Sequence, residues 1–273
     1  MEHLHDDQAV LVVDETGDVK KAAHTVGVQR QYTGTTGRVE NASVAVCLVY
    51  AGRRGHGAVD RELYVPRPWT SDSNRCRAAG LAEDTSFATK PELAARIVAR
   101  FLDSGHPDAW VVGDEVYGGN PKLRTALEER RIGYVLAVAC SHEATASAGK
   151  FRADALAEKV PERAWQKLSA GAAAEGPPLL RLGRHRSGRS PPRKSAAGPP
   201  QPQQPRTRLL PLLLAERVRV AGSRWRVEEV FQFGKGLAAL DEHQVRRYTF
   251  WSRWVTLASS VHPRHAGRTP LYA

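Results

Sequence analysis

Apolar positions divide the chain into short runs and helical stripes. Residues 9–15, "AVLVVDE", are apolar until two acids end the run, which predicts a buried strand. "VENASVAVCLVYAG" (39–52) and "AVDRELYVP" (58–66) predict two more. Short Gly- and Arg-rich turns, "GTTGR" and "GRRGHG", precede the second and third of these, and such short connections favour antiparallel neighbours. "PELAARIVARFLDSG" then places Leu93, Ile97 and Phe101 at helical spacing between Pro91 and Gly105. Those two residue types belong at a helix start and just past its end. A strand at 109–113 follows, then the helix "PKLRTALEERR" with Leu123 and Leu127 on one face, then the strand "GYVLAVAC" at 133–140. Strand, helix, strand in that order implies parallel pairing. The expectation is an α/β fold whose mixed five-stranded sheet, three antiparallel strands then two parallel, is flanked by helices.

The rest of the chain changes character twice. Residues 144–175 are Ala-rich with no decisive period. Residues 176–206 hold eight of the 17 prolines, with neither periodicity nor acids, and predict neither a core strand nor an ordinary helix. A helical stripe returns with Val227, Val230, Phe231, Leu237 and Ala238, predicting a helix over 224–240. The organisation expected is a core part at 1–143, an insertion at 144–215 that is disordered over 176–215, a core helix segment at 216–258 and an irregular tail at 259–273.

Charge sharpens this division. The net charge is +11, which points to a polyanionic partner. Residues 176–215 alone carry eight Lys or Arg and no acid, so only +3 belongs to everything else. The folded part is therefore nearly balanced. Three scattered cysteines, Cys47, Cys76 and Cys140, lack the spacing of a zinc site. They read as reduced thiols, with Cys47 and Cys140 packed in strands. No apolar run is long enough to span a membrane, and the polar start "MEHLHDDQ" is unlike a secretory signal, so no membrane association and a cytoplasmic location are expected.

The candidate chemistry lies in paired acids. "VVDETG" and "VVGDEVYGGN" each end an apolar run on Asp-Glu, at Asp14-Glu15 and Asp114-Glu115. Three readings compete. An Asp at a strand end is often only a turn or helix cap. Apolar residues followed by Asp-Glu also resemble the magnesium-handling strand of an ATPase, but that needs a phosphate loop. "ATASAGKF" and "FQFGKGL" both lack its pattern. The third reading is a two-metal site, with Asp14 and Asp114 at the ends of adjacent strands. Hard cations such as Mg²⁺ take carboxylate oxygens, and two of them can hold both oxygens of a phosphoryl transfer. A third carboxylate would come from the 224–240 helix. Arg224, Glu228 and Lys235 fall four and seven apart, on one stripe, whereas Glu229 turns about 100° away. Spacing thus favours Glu228, although the same trio could be a solvated salt-bridge ladder.

Several long stretches then carry a resemblance. "VVDETG", "GVQRQYTGTTGRVEN", "DRELYVPRPW", "FATKPELA", "GDEVYGGNPKLR", "GYVLAVA" and "RWRVEEVFQFGKGLAALDEHQVRR" resemble the DDE-type transposases of bacterial insertion sequences, in the insertion sequence 701-like branch grouped as DDE superfamily endonucleases. The likeness covers about residues 9–170 and 216–258. Arg224, Glu228 and Lys235 match the R-x3-E-x6-K signature of that branch, while its upstream tyrosine falls on Ala221. The resemblance implies an RNase H-like fold. It implies that Asp14, Asp114 and Glu228 are the catalytic, metal-binding acids for two Mg²⁺ (or Mn²⁺) ions. It implies a water-driven cut at the element's terminal repeats, followed by attack of the freed 3′-hydroxyl on target DNA, by a homodimer acting on paired ends. Arg224 and Lys235, with Lys20, Lys21 and Arg30, would position DNA phosphates.

The chain also departs from that family. Only 13 residues precede Asp14, where members carry a much longer segment. A Pro/Arg-rich stretch replaces a strand-rich insertion at 176–215, and the chain turns polar after "WVTLA" (254–258). A truncated and partly frameshifted element is expected, with 176–215 read out of frame; a genuine basic loop is the other reading. The alternative function is an inactive transposase remnant or a DNA-binding fragment.

Overall fold

The computed structural model describes residues 6–106, 110–146, 149–159, 166–169, 179–182, 217 and 219–259. They fall in two compact units, one formed by 1–109 with 226–273 and the other by 110–225.

In the first unit, four antiparallel strands build the sheet: β1 (Val10–Val19), β2 (Gln29–Thr33), β3 (Arg38–Gly52) and β4 (Gly55–Tyr64). β3 is central. It pairs with β1 from Ala42 to Ala51, and with β2 and β4 through successive halves of its length. Its apolar run, from Val44 to Tyr50, is almost fully buried, as are Val10 to Val13 of β1. Strand alternation sorts side chains between two faces. Leu11, Val13 and Glu15 share one face with Val46, Leu48 and Tyr50. Against this face packs α3 (Lys90–Asp103), whose Phe101 ring lies 6.1 Å from that of Tyr50. A reciprocal capping box of Thr89 and Glu92 starts α3, and Leu93, Ile97 and Phe101 are its buried stripe. Two short helices, α1 (Arg67–Thr70) and α2 (Ser73–Ala78), precede it.

Val12, Asp14, Thr16 and Asp18 share the other face with Ala45 and Cys47. There α7 (Trp225–Ala238) and α8 (Tyr248–Ser259) lie over the sheet; Thr16, Asp18, Ala45 and Cys47 line one cavity with Val230, Phe231, Gly234, Val255 and Ala258. From β4, Arg61 reaches α8, donating to the Ser252 carbonyl at 2.7 Å. The end of α7 is a left-handed turn on a non-glycine residue. Ala239 has φ 49°, and the Leu240 N–H donates to the Gly234 carbonyl at 3.0 Å. That conformation costs an L-residue about 1 kcal/mol, so Ala239→Gly is expected to stabilise the unit by about that amount in urea unfolding.

In the second unit, β5 (Trp110–Gly113) leads through α4 (Glu115–Gly118) and α5 (Pro121–Glu129) to β6 (Tyr134–Leu136). β5 and β6 pair in parallel, Val112 against Val135, as strand–helix–strand order requires. Two antiparallel hairpins follow, β7 (Glu143–Ala146) with β8 (Gly149–Arg152), and β9 (Gln166–Ser169) with β10 (Leu179–Leu182); α6 (Ala153–Glu158) stands between them. Of the glycine pair after Asp114, Gly118 serves close packing. A Cβ on Gly118 would sit 1.7 Å from the Ala137 carbonyl oxygen, while Gly119 has an ordinary φ of −73°.

Four antiparallel strands in the first unit and a parallel pair in the second give six strands, mixed parallel and antiparallel and flanked by helices, consistent with an RNase H-like fold. The sixth strand, β2, lies in residues 29–33, just before the expected turn "GTTGR", where the sequence pattern predicts no element. β1 runs four residues past the acids, because Glu15 to Val19 pair with Val46 to Ala42. Conversely β6 stops at Leu136, leaving Cys140 exposed outside any strand, whereas Cys47 is buried as expected. β10 falls inside the segment 176–215 that was expected to be disordered; residues 183–215 and the tail beyond 259 lie outside the described residues.

Candidate functional site

Asp14 is the fifth residue of β1, directly opposite Cys47, and so lies mid-strand rather than at a strand end. It is 6% exposed, on the face covered by α7 and α8, and its Oδ1 accepts the Glu15 N–H at 2.8 Å. Glu15 points to the opposite face, where Lys90 Nζ donates to its Oε1 at 2.7 Å. The adjacent acids are thus divided by strand alternation. Glu15 ties α3 to the sheet, and Asp14 alone faces the helix that carries Glu228. Burial, helped by the Asp18 charge, pushes the thiol of Cys47 opposite it up to about 12.

Asp114, in the second unit, is the N-cap of α4. Its Oδ1 accepts the Val116 N–H at 2.9 Å, and Arg224 Nη2 lies 3.7 Å from its Oδ2. The capping role is therefore real, and it engages the oxygen on the α4 side. Glu115 sits exposed in the first turn of α4.

On α7 the two glutamates also differ. Glu229 is committed: its Oε2 accepts Arg226 Nη1 at 2.9 Å and lies 3.2 Å from Nε2 of the buried His56 on β4. Glu228, one residue earlier and about 100° around the helix, is exposed. The Arg226 contact lies within α7, whereas the His56 contact ties α7 to β4; Glu228 is the outward carboxylate. Spacing in the sequence singles out Glu228 as the candidate third acid, and no signal in the sequence marks His56 as the partner of Glu229.

The cations are placed unevenly. Arg224 lies in a turn at 223–224 between a helical segment at 219–222 and α7, so it does not share a continuous helical stripe with Glu228 and Lys235. Lys235 is on α7 and donates to Thr35 Oγ1 at 3.0 Å. Lys21 and Arg30 are exposed. Lys20 is not a surface residue. It is 2% exposed, and its Nζ donates to the His243 carbonyl at 2.5 Å and the Asp241 carbonyl at 3.3 Å. A phosphate cannot reach it there, which removes it from the DNA-contacting set.

Asp14, Asp114 and Glu228 are carboxylates, a donor set that suits hard divalent cations. By chemistry they fit Mg²⁺ or Mn²⁺. Among the described residues, no three His, Cys, Asp or Glu side chains are grouped so as to hold a metal ion. No helix among them is long and apolar enough to cross a membrane.

Comparison with known proteins adds two findings. The family model described as DDE superfamily endonuclease matches residues 1–159. A curated protein, the probable transposase for insertion sequence element IS701 of Microchaete diplosiphon, is 32% identical over 136 residues, which cover 49% of this chain and 32% of that relative. The aligned part thus spans about a third of the relative's length. The family match includes Asp14 and Asp114, whereas Arg224, Glu228 and Lys235 lie beyond it.

Proposed function

The chain belongs to the DDE superfamily endonucleases, and on that premise we propose that it is the transposase of a bacterial insertion sequence. It cuts phosphodiester bonds at the element's terminal repeats and joins the freed 3′-hydroxyl to target DNA. The observation that carries this reading is the family match across both aspartates, supported by the IS701 relative. Asp14, Asp114 and Glu228 are its metal-holding acids. Two Mg²⁺ or Mn²⁺ ions, when bound, polarise the attacking water and neutralise charge on the phosphoryl oxygens. The chain's own residues do the rest. The Val116 N–H orients Asp114, and the Glu15 N–H orients Asp14. Glu229 and His56 tie α7 to β4, with Glu228 facing outward. Arg224, Lys235, Lys21 and Arg30 position phosphates by charge, a role that carries no sequence information. The protein works in the cytoplasm, as a homodimer on paired DNA ends.

The test is cleavage of terminal-repeat DNA with Mg²⁺ or Mn²⁺. Glu228→Gln is expected to lower cleavage about 10³-fold, since metal catalysis supplies several kcal/mol. Glu229→Gln keeps an acceptor for Arg226 and His56 and is expected to stay within about fivefold, the worth of a half-exposed ion pair. The reverse order would assign the third acid to Glu229. A parent chain that cuts with neither ion is an inactive remnant.

A further inference from the structure

The β2–β3 ribbon carries an exposed apolar pair that the sheet does not use. Tyr32 is 60% exposed and Val39 is 50% exposed, and they are directly opposed in the antiparallel register. Opposed large side chains on adjacent strands support each other, so the pair forms a stiff platform. Arg30, two residues before Tyr32, projects from the same face and is exposed. The ribbon's other face is anchored. Thr33 is buried so tightly that a Cβ on Gly17 would fall 2.1 Å from its Oγ1, and Gln31 Nε2 donates to the Ala42 carbonyl at 2.7 Å. At the tip, Gly37 takes φ +65° to close the turn after Thr33.

The surroundings are basic. Asn41, opposite Arg30, donates from Nδ2 to the carbonyls of Lys20 at 2.7 Å and Ala22 at 3.3 Å, which sets the exposed Lys21 beside the ribbon. Lys235 of α7 bonds Thr35 in the turn. Glu40 is the acid on these strands, and Arg38 neutralises it at 2.7 Å. Lys21, Arg30 and Lys235 are therefore cations around an aromatic platform, the combination that recognises a nucleic-acid strand by charge and stacking.

We propose that the exposed face of the β2–β3 ribbon is a DNA-contact surface, with Tyr32 packed against a base and Arg30 on a phosphate of the same strand. Two residues along a strand rise about 6.7 Å, which equals about two nucleotide steps of 3.4 Å. The two side chains thus address positions about two nucleotides apart. The Lys235–Thr35 bond joins this surface to the helix that carries Glu228, so a strand held by Tyr32 is held in register with that helix. The proposal rests on the transposase reading for its ligand and extends it to residues outside the acids.

The test uses the full chain without metal, and anisotropy of a labelled duplex bearing a short single-stranded end. Tyr32→Ala is expected to weaken binding about tenfold, and Tyr32→Phe to retain it, because stacking needs only the ring. Arg30→Gln is expected to lower the slope of log K against log salt by about 1. Unchanged thermal unfolding of each variant shows that folding is intact. Parent-like binding by Tyr32→Ala overturns the surface. If sedimentation then shows that the variant has lost self-association, the face belongs to a second copy of the chain. Metal-dependent cleavage separates the two readings. Cutting that is indifferent to Tyr32 leaves the nuclease standing without this surface, and Tyr32-dependent binding without cutting leaves the surface without the nuclease.

Discussion

Asp114→Asn is expected to lower metal-dependent DNA cleavage about 10³-fold or more while leaving the fold intact. Asn caps a helix about as well as Asp, so the substituted amide oxygen can still accept the Val116 N–H that Asp114 now accepts at 2.9 Å. The long ion pair with Arg224, at 3.7 Å, is lost. Such a half-exposed contact is worth about 1 kcal/mol or less. What the amide cannot replace is the anionic oxygen that a hard divalent cation requires. Loss of the several kcal/mol that metal ions supply to a phosphoryl transfer corresponds to about three decades of rate. Cleavage on terminal-repeat DNA and thermal unfolding, measured on the same preparation, separate these effects. Parent-like cutting by the variant would sink the assignment of Asp114, whereas a variant that unfolds early would show that the cap was its main role.

Local features were legible in the sequence. Thr89, Pro91 and Glu92 announce α3, and Leu93, Ile97 and Phe101 mark its buried face, because capping and helical period are encoded within a few residues. The parallel β5–β6 pair follows from chain order. The candidate acids Asp14, Asp114 and Glu228 stand out in the sequence as residue types. Their partners do not: Lys90 meets Glu15 across 75 residues, and Lys235 meets Thr35 across 200. The extent of β1 was misread because Asp14-Glu15 resembles a strand end. In the structure pairing with β3 continues through both acids to Val19. Tertiary pairing overrides the weak strand preference of acidic residues. The stripe through Arg224 failed for a local reason, a turn at 223–224 that nothing in "AGSRWRVEE" signals except one Gly-Ser step.

Lys20 is the sharpest such case, and the second large effect follows from it. In the sequence it is one of two adjacent lysines before a loop, which is how a phosphate-contacting pair reads. In the structure its side chain is 0% exposed, with Nζ 3.9 Å from Asp18 Oδ2. Nζ also lies 3.4 Å from His243 Nδ1, and His243 Nε2 is 3.3 Å from Asp18 Oδ2. An ammonium facing Nδ1 makes that nitrogen the acceptor, so the ring proton of a neutral His243 sits on Nε2, toward Asp18. Lysine, histidine and aspartate thus form one buried relay that clamps the end of β1 to the segment between α7 and α8. Burial lowers the Lys20 pKa, against the opposing pull of Asp18 and Asp241. The unfolded chain therefore holds this proton more tightly, and stability owed to Lys20 rises as pH climbs toward 10.5.

Lys20→Met removes that alkaline slope and is expected to destabilise the first unit by about 3 kcal/mol at neutral pH. It leaves Asp18 buried without its cation and two carbonyls without a donor. In a unit of this size that is about 6–12 °C in thermal unfolding. Adding Asp18→Asn removes the stranded charge, so the double variant should recover a measurable part of the loss, a coupling of about 1 kcal/mol or more. A Lys20→Met protein that unfolds like the parent but binds DNA more weakly would place Lys20 on the surface after all. Loss of stability with DNA affinity preserved under folding conditions would establish that the first of the adjacent lysines, so surface-like in sequence, belongs to the core.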